Sequence, residues 1–148
     1  MGQLNLPDSA RIYIDTLVVI YTIEVNPNYW QLVQPLWQKF QAGQIELITS
    51  ELTLMESLVI PFRQSNANLI DTYEQLLLSS VLQLIPINQI ILREAARLRA
   101  ITPSLKTPDA IHAATAITSG CTQFITNDRQ LRTVANLPVV ILDEVLAS

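Results

Sequence analysis

The sequence predicts an α/β fold with a mostly parallel sheet and helices on both faces. Two observations carry this. Five short apolar segments read as strands, and segments with helical spacing of apolar residues alternate with them along the chain. The length of 148 residues suits a single domain with a real core. There is no internal repeat, no low-complexity stretch and no linker that would split residues 1–148, and the core is expected over about 11–143.

In order, Arg11-Ile12-Tyr13-Ile14 reads as a buried strand ended by Asp15-Thr16. A helix is expected from Leu17 to about Glu24, broken by Asn26-Pro27-Asn28. Trp30 to Gln41 has helical spacing, with Gly43 placed to close it. Trp30 and Trp37 fall on one face of that helix and read as packing. Ile45 to Thr49 is a second strand, and Ser50 caps a helix running towards Phe62. Asn66 or Asn68 opens the next helix. A third strand is expected over Ser80 to Pro86, and Asn88 caps a helix to about Ala100. Thr107 is expected as the N-cap and Pro108 as the first residue of a helix that ends at Gly120. Gln123 to Thr126, a short helix from Arg129 to Val134, and a strand over Val139 to Leu142 complete the chain.

Composition excludes several classes. Apolar residues make up 49% of the chain and mean hydropathy is +0.30, yet no apolar run approaches the ~18 residues of a membrane helix. The polar segment Met1 to Arg11 does not read as a signal peptide. One cysteine, Cys121, gives no disulfide framework, and a cytoplasmic location is expected. The apolar excess suggests burial against a partner, most simply a second copy. The net charge of −4 argues against broad coating of nucleic acid. The window Arg93 to Arg132 differs, with six basic residues against three acids, and is either ordinary solvated surface or an anion-facing side.

In such sheets ligands sit beyond the carboxyl ends of the strands. Asp15 follows the first strand and Asp128 the fourth, so both project from one edge. Glu56 falls on an otherwise apolar helix face with Leu52, Met55, Val59 and Ile60. A carboxylate there needs a partner, either an arginine or a cation. Asp109 lies in the first turn of its helix. Alone it reads as complementing the helix dipole; with the other three acids it reads as a metal ligand. Four converging carboxylates would repel one another unless a cation sat between them. All-oxygen donors suit Mg²⁺ or Mn²⁺ rather than zinc. Such a cation activates water and stabilises the charge on a phosphodiester.

Ile12-Tyr13-Ile14-Asp15-Thr16, Thr49-Ser50-Glu51-Leu52-Thr53-Leu54-Met55-Glu56, Leu105 to Ala116, and Phe124-Ile125-Thr126-Asn127-Asp128 together resemble the PIN domain, in particular the VapC-type toxins of prokaryotic toxin–antitoxin pairs. The resemblance covers roughly residues 11 to 143. It implies a three-layer α/β/α fold with a five-stranded parallel sheet and Mg²⁺- or Mn²⁺-dependent cleavage of RNA. It makes Asp15, Glu56, Asp109 and Asp128 the acidic quartet. It also implies a homodimer and a cognate antitoxin that blocks the site. One position departs from the family pattern. Leu17 stands where a polar residue, often Asn, is common two positions after the first Asp, and leucine cannot bond a neighbouring carboxylate. Thr16 or Asn127 is expected to supply the lost bond. The alternative is a catalytically weak PIN module that binds a protein or RNA partner.

Thr126 and Asn127 either orient a metal-bound water or merely form the turn. Lys106, Arg129 and Arg132 are the candidates for RNA contact, against the reading of solvated surface. For His112, the only histidine, a packed or substrate-facing role is preferred over a general base, because metal-bound water needs no imidazole. A haloacid-dehalogenase-like phosphatase would need an acid where Leu17 stands. A receiver domain would need an Asp after the third strand, where Leu84-Ile85-Pro86-Ile87-Asn88 has none.

Overall fold

The computed structural model describes residues 2–78 and 80–148. Its centre is β1 (Arg11–Ile14), which pairs in parallel with β2 (Glu46–Ser50) on one side and β4 (Gln123–Thr126) on the other. β3 (Gln83–Ile85) adds outside β2 and β5 (Val139–Ile141) outside β4, giving the order β3-β2-β1-β4-β5. Every pairing is parallel.

Side chains alternate across β1 as strand geometry requires. Ile12 and Ile14 face one core with Leu47 and Ile125, covered by α1 (Thr16–Ile23), α2 (Trp30–Gln41), α4 (Ala67–Leu78) and α7 (Leu142–Ala147). Tyr13 faces the other core with Ile48 and Phe124, covered by α5 (Gln89–Ile101) and α6 (Thr107–Thr118). The two cores make three layers. Each fully buried Ile or Leu contributes roughly 1.5–3 kcal/mol. Ala110, Ala113, Ala114 and Ala116 of α6 are buried, and their small side chains let this helix lie close to the sheet. α3 (Glu51–Arg63) follows β2 directly, so its first turns stand over the carboxyl edge.

The helix starts are built by side chains. Asp15 accepts from the Thr16 amide, Ser50 from Leu52, Asn66 from Leu69 and Asn88 from Ile91. Each satisfies an amide that has no partner within its helix. Gly43 and Gly120 take φ of +74° and +68° just past α2 and α6, a conformation other residues adopt only under strain.

Several expectations shift; β2, for one, runs Glu46–Ser50 rather than Ile45 to Thr49. α1 begins at Thr16 rather than Leu17, because Asp15 itself caps it. α6 begins at Thr107, so its N-cap is the extended Lys106, and the Thr107 hydroxyl makes no cap bond. Pro108 accordingly stands at the second helical position. β3 is shorter than expected, and β5 ends at Ile141 because Leu142 opens α7. This last helix spans six residues, too few to show a helical period in the sequence.

Candidate active site at the carboxyl edge of the sheet

Asp15 emerges where β1 ends, between the ends of β2 and β4. It is 9% exposed. Its Oδ1 accepts from the Thr16 amide at 2.7 Å and its Oδ2 from the Thr126 hydroxyl at 2.7 Å. The Thr126 oxygen also accepts the Asp128 amide at 3.1 Å. One threonine at the end of β4 therefore locates both the first and the last acid. Asp128 Oδ1 in turn accepts from the Gln130 amide at 2.9 Å and caps the 3-10 turn Arg129–Thr133.

Glu56 reaches the same edge from α3. Its Oε1 accepts from the Thr16 hydroxyl at 2.8 Å and lies 2.7 Å from His112 Nε2. The partner demanded by its apolar helix face is thus a histidine and a threonine, not an arginine. Burial works against the ionised carboxyl of Glu56, but the bond and charge of His112 and the Thr16 bond outweigh it and lower its pKa. Burial likewise disfavours a charged His112, yet the Glu56 bond and the charges of Asp15, Glu56 and Asp109 raise its pKa. His112 Nε2 also lies 3.8 Å from Asp15 Oδ1.

Asp109, in the first turn of α6, is the contrasting member. It is half-buried, and among the described residues its carboxylate takes part in no hydrogen bond or ion pair. Burial first, then the charges of Asp128, Asp15 and Glu56, raise its pKa against the lowering effect of His112. Asp109 thus lies near enough to Asp128, Asp15 and Glu56 for their charges to act on it.

Other residues are placed differently. Asn127 turns away from the acids. Its Nδ2 donates to the hydroxyls of Tyr29 and Tyr21, at 3.0 and 3.3 Å, and its Oδ1 accepts the Asp143 amide at 2.9 Å. It ties β4 to α1, α2 and α7, and none of its bonds reaches the four acids. The Thr16 hydroxyl donates to Glu56. Leu17 is 38% exposed. Arg129 and Arg132 both pair with Glu144 of α7. Lys106 is exposed at the head of α6, three residues before Asp109.

Two residues belong to the site that the sequence did not single out as partners. Tyr13 places its hydroxyl 2.5 Å from His112 Nδ1, and Thr53 joins Thr49 at 2.7 Å beneath Thr16. A signal existed for the first. A phenol in an otherwise aliphatic buried strand must find a polar partner.

Carboxylate oxygens are the kind of donor a hard cation takes. Among the described residues, however, no three His, Cys, Asp or Glu side chains converge as a ready-made metal cluster.

A parallel α/β/α sheet with acids gathered at its carboxyl edge defines the class. The sequence matches the PIN domain over residues 12–137, and the chain belongs to that family. Several solved structures share the fold. A VapBC2 complex from Rickettsia felis, bound to a promoter DNA fragment, matches at 17% identity and a TM-score of 0.70, covering 88% of this chain and 98% of that one. A toxin–antitoxin complex from Klebsiella pneumoniae matches at 24% identity and 0.64, covering 90% and 98%. VapBC-5 from Mycobacterium tuberculosis matches at 19% and 0.57, covering 89% and 97%. No curated protein matches the sequence.

Proposed function

We propose that this PIN domain is a metal-dependent endoribonuclease and the toxin component of a toxin–antitoxin pair. The observation that carries the reading is that the half-buried Asp109 carboxylate meets no hydrogen-bond donor among the described residues while the charges of Asp128, Asp15 and Glu56 act on it, against that of His112, at the edge where this fold binds ligands. Asp15, Glu56, Asp109 and Asp128 would hold Mg²⁺ or Mn²⁺. When bound, the cation supplies Lewis-acid stabilisation of the charge that develops on a phosphodiester and makes water a better nucleophile near neutral pH. The chain's own residues do the positioning. Thr126 fixes Asp15 and the backbone of Asp128, and Thr16 with His112 fixes Glu56. Lys106, exposed at the head of α6, would meet a phosphate. Arg129 and Arg132 would have to leave Glu144 to do so.

The partner structures support the biological part of the reading, since similar folds occur in VapBC and toxin–antitoxin complexes. A cognate antitoxin, a homodimer and a cytoplasmic location follow from it. No described helix is long and apolar enough to cross a membrane. Leu17 favours a second reading, a module that binds a protein or RNA partner and cleaves weakly, because an exposed leucine offers no bond to the acids.

The test is cleavage of single-stranded and structured RNA by purified protein with Mn²⁺, compared with Asp15→Asn and Asp109→Asn. Cleavage lost in both folded variants supports the nuclease. Cleavage unchanged in both contradicts it.

A further inference from the structure

A chain of hydrogen bonds runs from the buried face of β1 to the acid edge, and its direction can be read from its donors. Tyr13 is fully buried and stacked on Phe124, with ring centroids 4.8 Å apart. The Ser50 amide donates to its hydroxyl oxygen at 3.2 Å. Burial, followed by the charge of Asp15, holds the phenol well above its usual range, so Tyr13 keeps its proton. Its one acceptor on a neutral ring is His112 Nδ1, 2.5 Å away, because Nε2 faces the Glu56 carboxylate. Nδ1 is then the acceptor of the neutral ring, and Nε2 carries the imidazole proton. Nε2 lies 2.7 Å from Glu56 Oε1. The same oxygen accepts the Thr16 hydroxyl at 2.8 Å.

The threonines beneath complete the assignment. Thr49 donates to the Ile14 carbonyl at 2.8 Å, so Thr53 is the donor in the bond between Thr53 and Thr49. The Thr16 proton is left for Glu56, its nearer acceptor, rather than for Thr53 at 3.3 Å. Among the described residues Glu56 Oε2 accepts nothing.

We infer that His112 is a positioning residue: Tyr13 sets its Nε2–H tautomer, and the imidazole with Thr16 saturates Glu56 Oε1, leaving Oε2 as the one oxygen Glu56 presents at the acid edge. Glu56 is thereby a one-oxygen donor with a fixed direction. The consequence for a cation rests on the nuclease reading; the tautomer rests on this geometry alone. A histidine that merely fills space would tolerate any group of equal volume. A positioning histidine needs an N–H at the Nε2 place, which Gln can reproduce and Leu cannot.

His112 is the only histidine, so a long-range ¹⁵N–¹H spectrum of the ring carries one set of signals. With the pH stepped upward until only the neutral ring remains, the expected result is a protonated Nε2 and a bare Nδ1. In Tyr13→Phe, which keeps the ring stacked on Phe124, the bare Nδ1 signal shifts as its hydrogen bond is lost. A proton on Nδ1 with a bare Nε2 overturns the inference, because Glu56 would then face a lone pair. Calorimetric titration of Mn²⁺ reads the consequence. His112→Leu is expected to weaken binding by about 10–100-fold, and His112→Gln to retain most of it. Equal losses in folded Leu and Gln variants would mean packing rather than positioning. A wild type that binds no Mn²⁺ would remove the nuclease reading, while the ring spectrum would still decide the tautomer.

Discussion

Asp15 and Glu56 are gripped: hydroxyl, amide and imidazole donors aim at their oxygens from Thr16, Thr126 and His112. Across the same edge Asp109 is held by its helix and met by no described donor, and its pKa moves the opposite way from that of Glu56. The difference divides the acids into a pre-organised half and a half that lacks hydrogen-bond donors. The proposed cation site would use both: rigid oxygens would fix where the ion sits, and the residual negative charge would favour its binding. The basic group whose charge acts on Asp109 is His112, which also bonds Glu56, while Lys106 is exposed to solvent.

The largest effects come from removing charge from either half. Asp15→Asn and Asp109→Asn are each expected to lower Mn²⁺-dependent RNA cleavage on the order of a hundredfold or more, read as initial rates on a labelled RNA. If only Asp15→Asn does so, the unsatisfied half is not part of the machinery.

Next comes the threonine that joins the halves. Thr126→Val removes the hydroxyl from Asp15 Oδ2 and the acceptor from the Asp128 amide. It is expected to cost about 1–3 kcal/mol in urea unfolding and to weaken Mn²⁺ binding as well. Asn127→Ala should cost stability in the same range while leaving Mn²⁺ affinity unchanged, because its bonds run to Tyr21, Tyr29 and Asp143.

The comparison predicts opposite stability effects without metal. The Asp109 pKa is raised above its ordinary 3.8, so the folded state binds the proton more tightly than the unfolded chain. Its penalty is absent below 3.8, grows as pH rises through the raised value, and is fully present above it. Glu56 is lowered from 4.5, so its contribution is present above that value and is lost as pH falls through the folded pKa. At pH 7 with chelator, Asp109→Asn is expected to raise Tm, whereas Glu56→Gln lowers it. Thermal melts at pH 7 and pH 4 read both signs. A lower Tm for Asp109→Asn at pH 7 would place that acid in the satisfied half.

The smallest expected effect is at Leu17. Leu17→Asn, at an exposed position beside Asp15, should tighten Mn²⁺ binding modestly with little change in stability. A large gain in cleavage would favour the weakly catalytic reading of the native chain.

Much of the fold was legible because its strands are short apolar runs bounded by Asp, Ser and Asn that cap the following helices. Asp15, Ser50 and Asn88 mark three helix starts by one local bond each. Thr107 misled for the same reason. It has the chemistry of a cap, but the extended residue is Lys106, and backbone conformation rather than residue type decides the position. α7 escaped because six residues carry no period. At the site, Asp15 and Asp128 were visible as acids that end strands. The orientation of Asn127 was not, since its partners lie 98 and 106 residues away. The Glu56–His112 bond spans 56 residues and joins two helices. The sequence announced that Glu56 needed a partner without saying which.

Calorimetric titration of Mn²⁺ into the purified wild type and Asp109→Asn tests the central claim most directly. Saturable binding by the wild type, lost in a folded Asp109→Asn variant, is the result predicted. No binding by the wild type, or equal binding by both, would contradict the assignment of the acid edge as a cation site.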